Sequence, residues 1–102
     1  MVAFLVTFKV PKESEAAFIE DYERIATLLS RQPGFIRARL HRGFQDKSVF
    51  FNYAEWESEE HFRRAYAARE VEEMHQGLKV LPSMRTMDLQ RYEILIEKRP
   101  PS

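Results

Sequence analysis

The stretch FFNYAEWES, residues Phe50 to Ser58, decides how this chain folds. Strict alternation suits a strand, placing Phe50, Asn52, Ala54 and Trp56 on one face and Val49, Phe51, Tyr53 and Glu55 on the other. The first face is apolar except for Asn52, and it carries the only tryptophan of the chain. Burying an unpaired amide costs roughly 1–3 kcal/mol. Asn52 is therefore expected to bond within the protein or to turn its polar atoms toward a ligand.

Working outward, "GFQDKS" (43–48) is a turn, so the strand Val49 to Trp56 pairs back on a preceding strand, Phe35 to Arg42. In that partner, alternation sets Phe35, Arg37, Arg39 and His41 against Ile36, Ala38 and Leu40. The two arginines and His41 are expected to pair across the strands with carboxylates such as Glu55, or else to form an anion-binding patch. Upstream, Val2 to Val10 alternates with apolar residues in both sets, as in a strand covered on both sides. Between these strands Glu13 to Gln32 reads as a helix whose stripe is Phe18, Tyr22, Ile25 and Leu29, stopped by Pro33-Gly34.

Downstream, Ser58 is a predicted N-cap for a short helix with Phe62, Ala65 and Tyr66 inward, and His61 beside two glutamates is expected to be solvated. A second helical stretch over about 70–81 aligns Val71, Met74, Leu78 and Leu81, with His75 at the edge. A fourth strand is predicted from Thr86 to Glu97. The order is β-α-β-β-α-β, an α+β, ferredoxin-like arrangement in one domain (residues 1–97), with 98–102 as a disordered tail. Helices on one face of the sheet leave Phe51 and Tyr53 bare on the other, so a homodimer through that open face is expected.

The bulk composition excludes several functions. Sixteen basic residues balance sixteen acidic ones, which leaves no electrostatic footprint for nucleic acid or an anionic membrane. No apolar run approaches the roughly 20 residues needed to span a bilayer. The chain has no cysteine, which excludes thiolate chemistry and fits a cytoplasmic location. There is no glycine-rich phosphate loop, no nucleophile elbow and no histidine pair at metal spacing, so no metal is expected.

Four segments carry a family resemblance: "FKVPKESEAAFIEDYER" (8–24), "QPGFIRARLHR" (32–42), "FFNYAEWESEEHF" (50–62) and "RYEIL" (91–95). Together they resemble the antibiotic biosynthesis monooxygenase domain, a dimeric α+β barrel. Members that oxidise polycyclic anthrones with dioxygen, using no metal or flavin, line their pocket with an Asn and a Trp on the third strand, positions matched by Asn52 and Trp56. The resemblance thus implies a small aromatic substrate, dioxygen and no cofactor. Two departures stand out: an aromatic hydroxyl of that group is replaced by Phe62, and an arginine falls near Gln76. A haem-degrading branch offers an alternative, since its axial histidine falls on His75, but its strand-one Asn falls on Val6 and its helix Trp near Ala65.

The candidate site therefore comprises Asn52, Trp56 and His75 as catalytic residues, with Phe50, Phe62, Tyr66 and Tyr22 as substrate contacts. Each has a structural alternative. Trp56 could pack under the helices while Asn52 bonds to backbone, His75 could be a surface histidine, and Tyr22 and Tyr66 could be core aromatics. A pocket that only binds a metabolite without turning it over is the remaining functional alternative.

Overall fold

The structure, a computed structural model, describes residues 1–101, with side chains for all of these except Arg85, Met87 and Asp88. The elements run β1 (Val2–Lys9), α1 (Glu15–Leu29), β2 (Phe35–Arg42), β3 (Val49–Trp56), α2 (Glu59–Ala67), α3 (Arg69–Gln76) and β4 (Arg85–Glu93). The strands form one antiparallel sheet in the order β2-β3-β1-β4, the ferredoxin-like α+β topology with its second helical segment split in two. Ser58 caps α2 by accepting the His61 N–H, as its sequence position predicts. No helix among the described residues is long and apolar enough to cross a membrane.

The faces of β3 follow the alternation. Val2, Phe4, Val6 and Phe8 of β1 lie opposite Trp56, Ala54, Asn52 and Phe50, so both central strands turn these residues toward the helices. The main core joins Phe4, Ala54 and Trp56 to Ile25, Leu29, Ala65, Val71 and Leu78. A smaller cluster joins Phe50 to Phe18 and Val10.

Three expectations change. A β-bulge between Phe35 and Arg37 slips one residue, so Phe35 leaves the face of Arg37, Arg39 and His41 and pairs opposite Trp56 on the helix side. The two rings meet edge to face with centroids 5.3 Å apart, and burial of the phenyl ring favours that slip. Helix α3 ends at Gln76 instead of continuing to Leu81, because Gly77 caps it and Pro82 opens a separate short turn, Leu81–Ser83. Strand β4 ends at Glu93 rather than Glu97.

The stripe on α1 holds an acid that hydrophobic periodicity passes over. Asp21 is fully buried, and its carboxylate accepts the backbone N–H groups of Lys79 (3.1 Å), Val80 (2.7 Å) and Leu81 (3.0 Å). It ties the segment after α3 to the middle of α1. Burial alone would raise its pKa; the three backbone donors, helped by the Lys79 charge, outweigh that and lower it.

Turning one acceptor into a donor that faces those N–H groups, Asp21→Asn is expected to cost about 1–3 kcal/mol at neutral pH, read as a lower urea midpoint. Because the folded-state pKa lies below the unfolded value, this contribution is complete above about pH 4 and is lost as pH falls through the folded value. The gap between wild type and variant should therefore narrow in acid.

Candidate functional site

Between the helix face of the sheet and the helices lies a cavity of about 380 Å³. Strand β1 contributes Phe4, Val6 and Phe8 to its lining, β3 contributes Asn52, Ala54 and Trp56, and α2 contributes Phe62 and Tyr66. The segment pinned by Asp21 adds Leu81, Pro82 and Met84. One wall is a run of rings: Phe62 stacks on Phe4 at 3.6 Å between centroids, meets Tyr66 at 4.6 Å and stands edge-on to Trp56 at 6.0 Å. An aromatic wall of this kind favours flat, polarisable occupants over polar ones.

Polar atoms in this lining are few. Asn52 Oδ1 accepts a hydrogen bond from the Tyr22 hydroxyl at 2.5 Å. Among the described residues nothing takes the Asn52 Nδ2 hydrogens or the Trp56 indole N–H, while no sealed side-chain nitrogen or oxygen lacks a partner. Both N–H groups therefore keep access to open space, and both residues line this cavity. Desolvation by burial, with the neighbouring Tyr66 adding to it, pushes the Tyr22 pKa up to about 12, so Tyr22 keeps its proton at any physiological pH. Tyr66 leaves 44% of its surface exposed, yet desolvation around its hydroxyl raises its pKa as well. His75 is exposed on α3 and brings an imidazole to the cavity lining.

Six of the seven residues singled out from sequence thus line one cavity: Asn52, Trp56, His75, Phe62, Tyr66 and Tyr22. Phe50 does not. It is 1% exposed in the smaller core cluster, with the Arg42 guanidinium 5.4 Å above its ring, and it borders a separate open groove between α1 and β2. Phe35 lines the cavity without having been singled out, because its contribution depends on the bulge. Contrary to expectation, His61 is half-buried. Its Nδ1 lies 2.8 Å from Ser58 Oγ, and it packs over Gly34, whose φ of 87° and missing side chain admit it; a Cβ there would sit 2.3 Å from His61 Cγ. On the open face Arg37 pairs with the buried Glu55 at 3.3 Å, as cross-strand pairing predicts, while His41 Nδ1 lies 3.1 Å from the Phe51 carbonyl oxygen.

A family model described as antibiotic biosynthesis monooxygenase matches residues 1–77, which include every residue of the polar constellation. The chain belongs to the antibiotic biosynthesis monooxygenase family. Among solved structures it is similar to SnoaB, a cofactor-independent oxygenase from Streptomyces nogalater, with 26% identity, coverage of 99% and 97% of the two chains and a TM-score of 0.75. A candidate antibiotic biosynthesis monooxygenase from Deinococcus radiodurans shares the fold at 17% identity, full coverage of both chains and a TM-score of 0.80. So does the haem degrader MhuD from Mycobacterium tuberculosis, at 22% identity, 97% and 100% coverage and a TM-score of 0.73. No curated protein matches the chain by sequence.

Trp56 is the only tryptophan and only 1% exposed, so intrinsic emission reports on this monooxygenase-family cavity alone. The emission is expected to be blue-shifted and insensitive to iodide, yet quenched in a saturable way by a fused-ring aromatic such as 1,8-dihydroxyanthraquinone. Iodide quenching comparable to that of free tryptophan would show that the cavity is open to water.

Proposed function

We propose that this chain is a cofactor-independent monooxygenase that oxidises a small aromatic, anthrone-type substrate with dioxygen. The observation that carries the proposal is the pair of N–H donors, Asn52 Nδ2 and Trp56 Nε1, that have no partner among the described residues and belong to a largely apolar, ring-walled cavity. Four residues along a strand separate their Cα atoms by about 13 Å, a span suited to several fused rings rather than one.

An anthrone loses a proton from its ring CH₂, and the resulting charge collects on the carbonyl oxygen. Asn52 donates to that oxygen, where a fixed donor in a dry site is worth most. His75, at the lining, takes the proton. The electron-rich carbon then reacts with dioxygen to give a peroxide, which collapses to a carbonyl and water. One oxygen atom enters the product, the other leaves in water, and the CH₂ group supplies all four electrons. The enzyme therefore needs only to bind, desolvate and stabilise the anion.

Haem fits the lining less well. His75 is an imidazole of the right kind, but among the described side chains the lining offers no cation to pair with two propionates. Hemin titration showing a Soret shift lost in His75→Ala would restore that alternative.

Homodimerisation through the open sheet face belongs to the same proposal. Phe51 and Tyr53 are half-buried there within the protomer, whereas Tyr92 (52% exposed), Leu95 (81%) and Ile96 (80%) stand in water on β4 and the segment after it. Covering each large side chain is worth about 1.5–3 kcal/mol, and a symmetric dimer gains each twice. Phe51→Asp should then shift sedimentation at micromolar concentration to the monomer and lower a melting temperature that rises with concentration in the wild type. A concentration-independent wild-type transition from a monomer would remove the dimer.

Oxygen consumption with 1,8-dihydroxyanthrone, corrected for autoxidation, tests the reaction itself. Enzyme-dependent uptake is expected, with kcat lowered about 10²–10³-fold in Asn52→Ala. Saturable binding with no uptake, for anthrones and hydroquinones alike, would leave a ligand-binding module instead.

A further inference from the structure

The geometry points to Tyr22 as the residue that fixes which end of the Asn52 amide faces the substrate. A half-turn about the last side-chain bond exchanges an amide's NH₂ for its oxygen at almost no steric cost. That choice decides the chemistry of this cavity. A donor facing inward stabilises an oxyanion, and an acceptor facing inward repels it.

Nothing beside Asn52 in the sheet makes that choice. Its cross-strand neighbours on the helix face are Val6 of β1 and Leu40 of β2, both aliphatic. The polar group that reaches it is the Tyr22 hydroxyl, 2.5 Å from Oδ1. With the O–H donating, one bond satisfies both the phenolic hydrogen and the amide oxygen. In the reverse arrangement, Nδ2 donating to Tyr22, the phenolic hydrogen would lose the acceptor it has among the described residues, and the amide oxygen would take the place of Nδ2 toward the cavity. The observed orientation therefore strands neither, and it leaves both Nδ2 hydrogens for the cavity.

Tyr22 is itself held in place. Its chain neighbour Asp21 accepts three backbone N–H groups from residues 79–81, which ties α1 to the segment after α3 at this turn. The raised pKa of Tyr22 keeps the donated proton in place across the physiological range. Tyr22 is thus a positioning residue, acting on the reaction through Asn52. Its catalytic consequence rests on the oxygenase proposal, whereas its structural effect does not.

Tyr22→Phe tests both parts. In the free protein, the Asn52 side-chain NH₂ signals in a ¹⁵N–¹H NMR spectrum are expected to move and broaden as the amide gains a second orientation. Tyr66→Phe, which removes a cavity hydroxyl that does not bond the amide, should leave their line shape sharp. Unchanged signals in Tyr22→Phe would overturn the assignment whether or not the protein is an oxygenase. With 1,8-dihydroxyanthrone, kcat should fall roughly tenfold at a nearly constant KM, the ratio that one hydrogen bond's net free energy commands. The double variant Tyr22→Phe/Asn52→Ala should be no slower than Asn52→Ala alone, because Tyr22 acts through that amide. Additive losses would overturn the assignment. If Tyr22→Phe does not fold, Asn52→Asp keeps an oxygen for Tyr22 to donate to and replaces the inward NH₂ donor by a charged acceptor oxygen. It should lose activity as fully as Asn52→Ala, and retained activity would contradict the proposal. No turnover by the wild type, with the NMR change present, would sink the oxygenase proposal alone.

Discussion

The hydrogen bond from Tyr22 to Asn52 Oδ1 reconciles a polar amide with the apolar face of a central strand. Without it, the amide oxygen would lose its partner, at a cost of about 1–3 kcal/mol. With it, half of the amide belongs to the fold and half remains for a ligand. The rest of the site depends on that division. Helix α1 must hold Tyr22 at the right height, and the buried Asp21 carboxylate holds α1 to the segment after α3. That same segment supplies Leu81, Pro82 and Met84 to the cavity lining. A buried acid in one place therefore helps to shape both the donor set and the wall of the cavity.

Much of this was legible in the sequence, for definable reasons. Period-two alternation in 49–56 assigned the faces of β3 correctly, since a central strand buried on one face tolerates no slip. The α1 stripe and the Ser58 cap were read from local chemistry alone. What escaped was long-range or irregular. Phe35 looked like a neighbour of Arg37 because alternation presumes an unbroken ladder, and a single bulged residue reverses it. Asp21 gives no local signal because its partners lie 58 to 60 residues away and are backbone groups, which leave no mark on composition. Phe50 shares a face with Asn52 but lies toward the far end of the strand, against Phe18, so face alone does not decide cavity contact. The Asn52 and Tyr22 pairing joins two residues that were each noticed separately.

Membership in the antibiotic biosynthesis monooxygenase family constrains the reaction less than the fold. Similar chains include a cofactor-independent oxygenase and a haem degrader, built on the same sheet and helices. In this chain the described lining presents two N–H donors, two tyrosine hydroxyls, the Thr86 hydroxyl and one imidazole among aromatic and aliphatic groups. Phe62 brings a ring without a hydroxyl to this wall and stacks on Phe4. In the proposed reaction, anion stabilisation rests on Asn52 and Trp56.

The central claim is that the Asn52 amide meets a substrate oxygen with its nitrogen while its own oxygen is held by Tyr22. A crystal structure of the protein with 1,8-dihydroxyanthraquinone bound tests it most directly. The account predicts the ring system stacked along Phe62 inside the cavity, a ligand oxygen about 3 Å from Asn52 Nδ2, and the Tyr22 hydroxyl still on Oδ1. A ligand seated elsewhere, or an Asn52 nitrogen bonded to Tyr22 with its oxygen turned inward, would contradict it.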